Sequence, residues 1–263
     1  MKPRVSRCFV VTRVVLGALT ALLLVPGAAL AADPATPEST QDSFRQANQA
    51  YDAGQFEKSR DLYSSILAVV PRNATVEYNL ANSYARLHDV ARAVVHYERA
   101  LRSNPRLYDA RANLLQIAPP TNFTATSPLL APFQWIERRM NLNEWLWTTF
   151  LLLAAGCLAG GLWALEFRVP RLLRLLAMIF ALLFLVSAGF SVAAVDDVAT
   201  PTGVVLANKT IARSGPGESY LEAMELPAGA KVYAVGPPQR GWIRIQTPEG
   251  RVAFLQSGDV EWI

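Results

Sequence analysis

Two uncharged apolar runs, close together in the chain, constrain this sequence more than any other feature. Residues 146–165 and 175–195 contain no Asp, Glu, Lys or Arg. As α-helices, each would cover roughly 30 Å, the thickness of a bilayer's hydrocarbon core. The segment 166–174 between them carries three arginines and Pro170, and a connection this short joins antiparallel neighbours. We therefore predict a two-helix transmembrane hairpin over residues 145–195. Two buried helices of a soluble domain are the disfavoured alternative, because no amphipathic segments of comparable size would cover them.

The first 31 residues have the pattern of a signal peptide. Their only charges are four basic residues, followed by an apolar stretch and an Ala-Leu-Ala sequence at residues 29–31. An uncleaved anchor is the alternative, but Pro26 and Gly27 interrupt the apolar run and favour cleavage. Cleavage would place residue 32 outside the cytoplasm, and the arginines of segment 166–174 inside it, as the positive-inside rule prefers. We predict a membrane protein with two spans and both soluble domains extracytoplasmic.

The charge balance and the cysteines exclude several classes of function. Removal of residues 1–31 leaves 21 basic and 21 acidic side chains, so no electrostatic argument favours nucleic acid. Cys8 would leave with the signal peptide and Cys157 lies within an apolar run, so no thiol pair is expected. We find no nucleophile–base pair and no cofactor motif, and expect neither catalysis nor a cofactor. His88 and His96 have no acidic or thiol partner on the same stripe, so no metal site is predicted.

An internal repeat occupies residues 40–118. Residues 54–71 align with residues 88–105 at an offset of 34, which is the period of the tetratricopeptide repeat. At this offset Tyr63 pairs with Tyr97 and Pro71 with Pro105. The segment resembles a tetratricopeptide array, and the resemblance implies an all-α solenoid of two full repeats and a capping helix.

The same resemblance implies a binding surface on the first helix of each repeat. Asparagine amides there could both donate to and accept from a peptide backbone, and arginines could bind a carboxylate. We predict peptide binding, although an ordinary solvated helix face remains the alternative. The predicted peptide-binding residues are Arg45, Asn48, Tyr51, Tyr78, Asn79, Asn82, Arg86, Asn113 and Gln116.

Residues 119–144 combine a spacer rich in proline and threonine with a short amphipathic segment, predicted to be a helix at the membrane surface. Gly156 and Gly160, in the first apolar run, have the spacing that allows close helix packing. Packing against the second run, through Gly189 and Ala193, is the simpler prediction. Dimerisation, or docking onto another membrane protein, is the alternative.

Residues 202–263 change to short β-rich runs separated by Gly and Pro, which predicts a small all-β barrel. The segment resembles a bacterial SH3-like domain. The similarity lies in Arg213, Gly215, Pro216 and Gly217 of an Arg-Ser-Gly-Pro-Gly sequence, in Trp242, and in Phe254, where that family has tryptophan. The resemblance implies a cell-wall ligand, a protein ligand, or a purely structural domain, and the sequence does not separate these.

Taken together, the predicted fold class is a multidomain membrane protein: an all-α tetratricopeptide solenoid, a transmembrane hairpin and a small SH3-like barrel. This order of segments resembles the BatE-type proteins of bacterial aerotolerance operons. The resemblance implies a membrane-anchored scaffold in the bacterial inner membrane that binds other membrane or periplasmic proteins, including von Willebrand-type domain Bat proteins, in aerotolerance or stress resistance. An assembly factor for c-type cytochromes and a cell-wall tether acting through residues 202–263 are the alternatives.

Overall fold

Five helices follow one another in the first half of the chain. A computed structural model describes residues 38–122, 136, 139–164 and 171–263. The predicted signal peptide lies outside these residues, as do most of the spacer and segment 165–170. The helices are α1 (Glu38–Asp52), α2 (Phe56–Val69), α3 (Ala74–Arg86), α4 (Val90–Ser103) and α5 (Tyr108–Ile117), followed by a 3-10 turn at Pro120–Asn122. Each of the five packs against the next.

The local sequence explains where these helices start and turn. Asn73 caps α3, because its side-chain oxygen accepts hydrogen bonds from the backbone of Thr75 and Val76. Asp89 caps α4 in the same way, through the N–H of Arg92 at 3.1 Å. Gly54 and His88, one repeat apart, both have left-handed backbone, with φ of 76° and 60°. The repeat thus recurs in the turns between paired helices.

A seven-stranded antiparallel sheet ends the chain. Its strands are β1 (Thr202–Val205), β2 (Thr210–Arg213), β3 (Glu222–Leu226), β4 (Lys231–Ala234), β5 (Trp242–Gln246), β6 (Val252–Gln256) and β7 (Val260–Trp262). Their order is β3-β2-β6-β5-β4-β1-β7, so that β3 and β7 form the edges. One apolar cluster draws residues from all seven strands, with Ile245 and Leu255 fully buried in it. The sheet therefore curves around its own core.

The helices α1–α5 and the sheet form one compact unit, of residues 36–141 and 197–263. Strand β1 joins them, because it is buried on both faces: Val205 packs in the sheet core, while Val204 packs in a cluster with Val94 and Tyr97 of the helices. Polar contacts surround this cluster. They are Arg99 to the Trp262 carbonyl at 2.8 Å, Arg99 to Glu261 at 3.0 Å, Arg102 to the Ile263 carbonyl at 2.9 Å, and Lys231 to Glu98 at 3.4 Å.

The second compact unit contains α6 (Leu142–Ala164) and α7 (Arg171–Ala199) up to Asp196. Within α7, Leu175–Val195 is 21 residues long with a mean hydropathy of 2.5, long and apolar enough to cross a membrane. In α6 the apolar stretch found among the residues whose side chains the structure describes is Leu142–Leu158. Asn143 and Glu144 occupy the first turn of α6, and residue 165 lies outside the described part of the chain.

The predicted fold class is therefore wrong. The part of the chain that the structure describes has seven α-helices, a single candidate membrane span and a seven-stranded antiparallel sheet. The predicted architecture was instead a two-span hairpin between a separate solenoid and a separate small barrel. Two findings overturn it: among the described residues a single segment, Leu175–Val195, qualifies as a membrane span, and β1 is buried against α4, which merges the helical and the β-rich segments.

Side chains of α6 and α7 meet near the start of α6. The Thr149 hydroxyl lies 2.7 Å from that of Ser187 and 2.8 Å from that of Ser191, and Trp145 stacks on Phe190 with ring centroids 4.7 Å apart. By contrast, a Cβ atom added to Gly156, Gly160 or Gly189 would meet no heavy atom within 4 Å. Close packing at these glycines thus stays a prediction, and the open space around them gives it no support.

Candidate peptide-binding cleft

A polar cleft of about 220 Å³ lies among α1, α2 and α3. Helix α1 supplies Asn48, Tyr51 and Asp52, helix α2 supplies Tyr63, and helix α3 supplies Asn79 and Asn82. Residues three or four positions apart share one face of a helix, and this spacing brings each helix's contribution together. Four of the nine residues predicted for peptide binding, Asn48, Tyr51, Asn79 and Asn82, therefore line one cleft.

Two buried tyrosines orient two of the asparagines, in the same way in each repeat. The Tyr63 hydroxyl donates to Oδ1 of Asn48, and the Tyr97 hydroxyl donates to Oδ1 of Asn82 at 2.5 Å. Burial raises the pKa of both tyrosines to about 12, so both hydroxyls keep their protons at neutral pH. Because Oδ1 of each amide accepts from a tyrosine, its Nδ2 group is left to donate to another acceptor.

Asn113 belongs to the second of these networks and does not line the cleft. Its Nδ2 donates to Oδ1 of Asn82 at 3.1 Å and lies 3.2 Å from the Tyr97 hydroxyl oxygen. Asn82 is thus held by two neighbours on two other helices. Asn113 has a structural role here, unlike the other three predicted asparagines, which line the cleft.

The remaining predicted residues lie outside the cleft. Arg45 is exposed and pairs with Asp42 on its own helix. The Arg86 guanidinium lies 4.4 Å above the ring of Phe56. Tyr78 packs against Tyr97 with ring centroids 6.1 Å apart, and Gln116 is exposed on α5. Neither arginine is therefore positioned to bind a carboxylate within the cleft.

Two residues that line the cleft, Asp52 and Tyr63, are not among the nine predicted for binding. Asp52 follows Asn48 by four positions, so helical spacing alone could have added it to the same face. Tyr63 was only aligned with Tyr97 by the repeat, and its exposure of 2% makes it a core residue. Its hydroxyl nevertheless reaches the cleft, and only the structure reveals this second role.

The residues of the Arg-Ser-Gly-Pro-Gly sequence fix a loop of the sheet. Arg213 donates to the Tyr220 carbonyl at 2.9 Å. A Cβ atom on Gly215 would lie 2.3 Å from the Tyr220 ring, and one on Gly217 would lie 3.4 Å from it, so the glycines accommodate this side chain. Pro216 lies between them and is partly exposed.

Trp242 and Phe254 lie on the outward side of the sheet. Phe254 on β6 is opposite Arg213 on β2 and Arg244 on β5, and Trp242 precedes Arg244 by two residues on the same strand. Alternate strand residues share a face, so the two aromatic and two arginine residues are on one side. The core contains the residues between them, such as Ile243 and Leu255. Trp242 is half-buried here and is not a core residue.

The two histidines differ in their surroundings. His96 is buried, with Nδ1 2.6 Å from a carboxylate oxygen of Glu77 and its ring stacked on Tyr84, whereas His88 is exposed in a turn. Among the residues that the structure describes, no three His, Cys, Asp or Glu side chains are grouped so that they could hold a metal ion.

No protein-family model and no curated protein matches the chain. A functional assignment therefore depends on the residues described above.

Proposed function

We propose that the protein is a membrane-associated scaffold whose cleft among α1, α2 and α3 binds an extended segment of a partner protein. The observation that carries the proposal is the pair of tyrosine–asparagine hydrogen bonds, which hold Asn48 and Asn82 with their Nδ2 groups available. Backbone carbonyls of an extended peptide are acceptors of the right kind, and Asp52 and Tyr51 can accept from its N–H groups or side chains.

Membrane association rests on Leu175–Val195, the helix long and apolar enough to span a bilayer. We place both soluble segments outside the cytoplasm, on the strength of the signal-like start and the arginines of segment 166–174. Packing of the sheet on α1–α5 supports one common side, since parts of one compact unit cannot lie on opposite sides of a membrane. The partners would then be other membrane or periplasmic proteins, with von Willebrand-type domain Bat proteins the first to test.

Site-specific photocrosslinking in cells that produce the full chain natively tests this function. Benzoylphenylalanine in place of Tyr51 puts the crosslinker in the cleft, and the same group in place of Gln116 provides an exposed control on α5. We expect an adduct of defined mass from the Tyr51 position only. Adding Asn79→Ala to that variant should lower the yield, because it removes one of the amides that line the cleft. Equal adducts from both positions, or no dependence on Asn79, would refute peptide binding at this cleft.

A further inference from the structure

The charge of the cleft differs from the charge that the sequence predicted for it. Arginines were expected to bind a carboxylate, yet Arg45 pairs with Asp42 and Arg86 stacks on Phe56. The cleft is lined by three asparagines, two tyrosines and Asp52, whose carboxylate is its only formal charge. Within the described part of the chain, no Lys, Arg or His forms an ion pair with Asp52.

The position of Asp52 within its helix strengthens this observation. Asp52 is the last residue of α1, where the helix dipole already contributes negative partial charge, and the last turn of α1 contains no basic residue. An acidic side chain at this position is unfavourable for the free helix. A positive charge placed beside it would be stabilised by the carboxylate and by the end of the helix together.

The size of the cleft limits what can enter. About 220 Å³ is below the roughly 300–1,000 Å³ of a pocket that holds a whole small molecule. A single long side chain is a better match. The half-buried ring of Tyr51 offers an aromatic face for the stem or the cation of such a side chain, while the asparagine amides bind the backbone next to it.

We propose that the cleft selects a cationic side chain, a lysine or an arginine, on the bound segment, with Asp52 as the residue that recognises the charge. This inference rests on the proposed function and adds the chemical class of the ligand. It predicts that a partner segment with glutamate at the central position is rejected, because Asp52 would repel it and no cation of the cleft would compensate.

Nuclear magnetic resonance of the full chain in detergent micelles, labelled with 15N at asparagine, tests the proposal. The probe is n-butylammonium, which reproduces the end of a lysine side chain, and n-butyrate is the probe of opposite charge at equal ionic strength. We expect n-butylammonium to shift the side-chain amide signals of Asn48 and Asn79 in a saturable manner. n-Butyrate should not shift them.

Asp52→Asn should raise the apparent Kd for n-butylammonium by about three- to tenfold, the range for an exposed ion pair with a hydrogen bond. Asp61→Asn is the matched control, since Asp61 is an exposed carboxylate on α2 outside the cleft. Three results would overturn the inference: no saturable shift, equal shifts with n-butyrate, or equal effects of the two substitutions. If one of them occurs while the Tyr51 adduct still depends on Asn79, peptide binding survives and only the preference for a cation is lost.

Discussion

The Asn122 side chain accepts a hydrogen bond of 2.8 Å, through Oδ1, from the backbone N–H of Lys231, 109 positions further along the chain. Its Nδ2 donates to the Gly229 carbonyl at 2.8 Å. Asn122 thereby pairs with the backbone at the start of β4 as a neighbouring strand would. Because Asn122 ends the 3-10 turn that follows α5, this one amide ties the end of the helical segment to the sheet.

Asn122→Ala should therefore destabilise the whole compact unit. The substitution leaves a partly buried N–H and a partly buried C=O without their partner, which costs about 1–3 kcal/mol of unfolding free energy. The measurement is denaturant unfolding of the full chain in detergent. Gln116→Ala is the control, because this exposed position should change stability by less than about 0.5 kcal/mol. Equal effects at the two positions would argue against the Asn122 contact.

Both soluble segments should react alike with a membrane-impermeant maleimide. Lys58→Cys on α2 and Ser219→Cys in the sheet introduce exposed thiols, in a chain with Cys8 and Cys157 replaced by Ser. We expect labelling of both in cells with a permeabilised outer membrane. Labelling of one position alone would contradict a single compact unit. Labelling of neither would leave the unit intact but disprove its extracytoplasmic location.

Contacts that follow from regular spacing along the chain can be predicted from this sequence, whereas contacts between unrelated segments cannot. The 34-residue offset aligned Asn48 with Asn82 and Tyr63 with Tyr97, and these pairs make equivalent hydrogen bonds in the structure. Helical periodicity likewise brought Asn79 and Asn82 to one face. Patterns of this kind are local, so that spacing along the chain is enough to find them.

The packing of β1 on α4 could not be found in this way. Val204 and Val205 point to opposite sides of a strand and are both fully buried, which indicates only that each face has a cover. Nothing in the strand itself specifies Val94 as part of that cover. The contact of Arg86 with Phe56 has the same character, since the two residues belong to different helices and nothing in the repeat specifies it.

The unfolding free energy should fall as pH rises from about 10 to about 12. Tyr63 and Tyr97 have pKa values raised to about 12 in the folded chain, chiefly by burial, against the ordinary tyrosine pKa of 10.0 expected in the unfolded chain. Their protonated forms thus stabilise the fold below pH 10, and this contribution is lost as the unfolded state releases its protons first. Denaturant unfolding at several pH values measures the slope.

Tyr63→Phe should make that pH dependence shallower, because one of the two phenols is removed. Tyr108→Phe is the control, since Tyr108 is 57% exposed. An unchanged slope in the Tyr63 variant would show that other groups cause the alkaline loss of stability.

Thr149→Val should weaken the contact between α6 and α7. The substitution removes the hydroxyl that lies within hydrogen-bonding distance of both Ser187 and Ser191, and a hydrogen bond within a protein contributes about 0.5–1.5 kcal/mol. We expect a lower midpoint of thermal unfolding in detergent. Gly156→Ala should not lower the midpoint, because its new methyl group meets no atom within 4 Å and alanine is the better helix former. The reverse order of effects would restore the glycines as the packing surface.

The two asparagines of α3 should respond differently to alanine. Asn82→Ala leaves the Tyr97 hydroxyl and the Asn113 amide without their shared acceptor, so we expect a loss of about 1–3 kcal/mol in unfolding free energy. Asn79 is not part of that network, and alanine is a good helix former, so Asn79→Ala should change stability by less than about 0.5 kcal/mol. Two measurements on the same variants separate binding from stability. They are the yield of the adduct from position 51 and denaturant unfolding. We expect Asn79→Ala to lower the yield at unchanged stability, which a merely solvated helix face would not do. If Asn82→Ala left stability unchanged, the hydrogen bonds of Tyr97 and Asn113 would contribute nothing to the fold, and the fixed orientation of Asn82 would lose its basis.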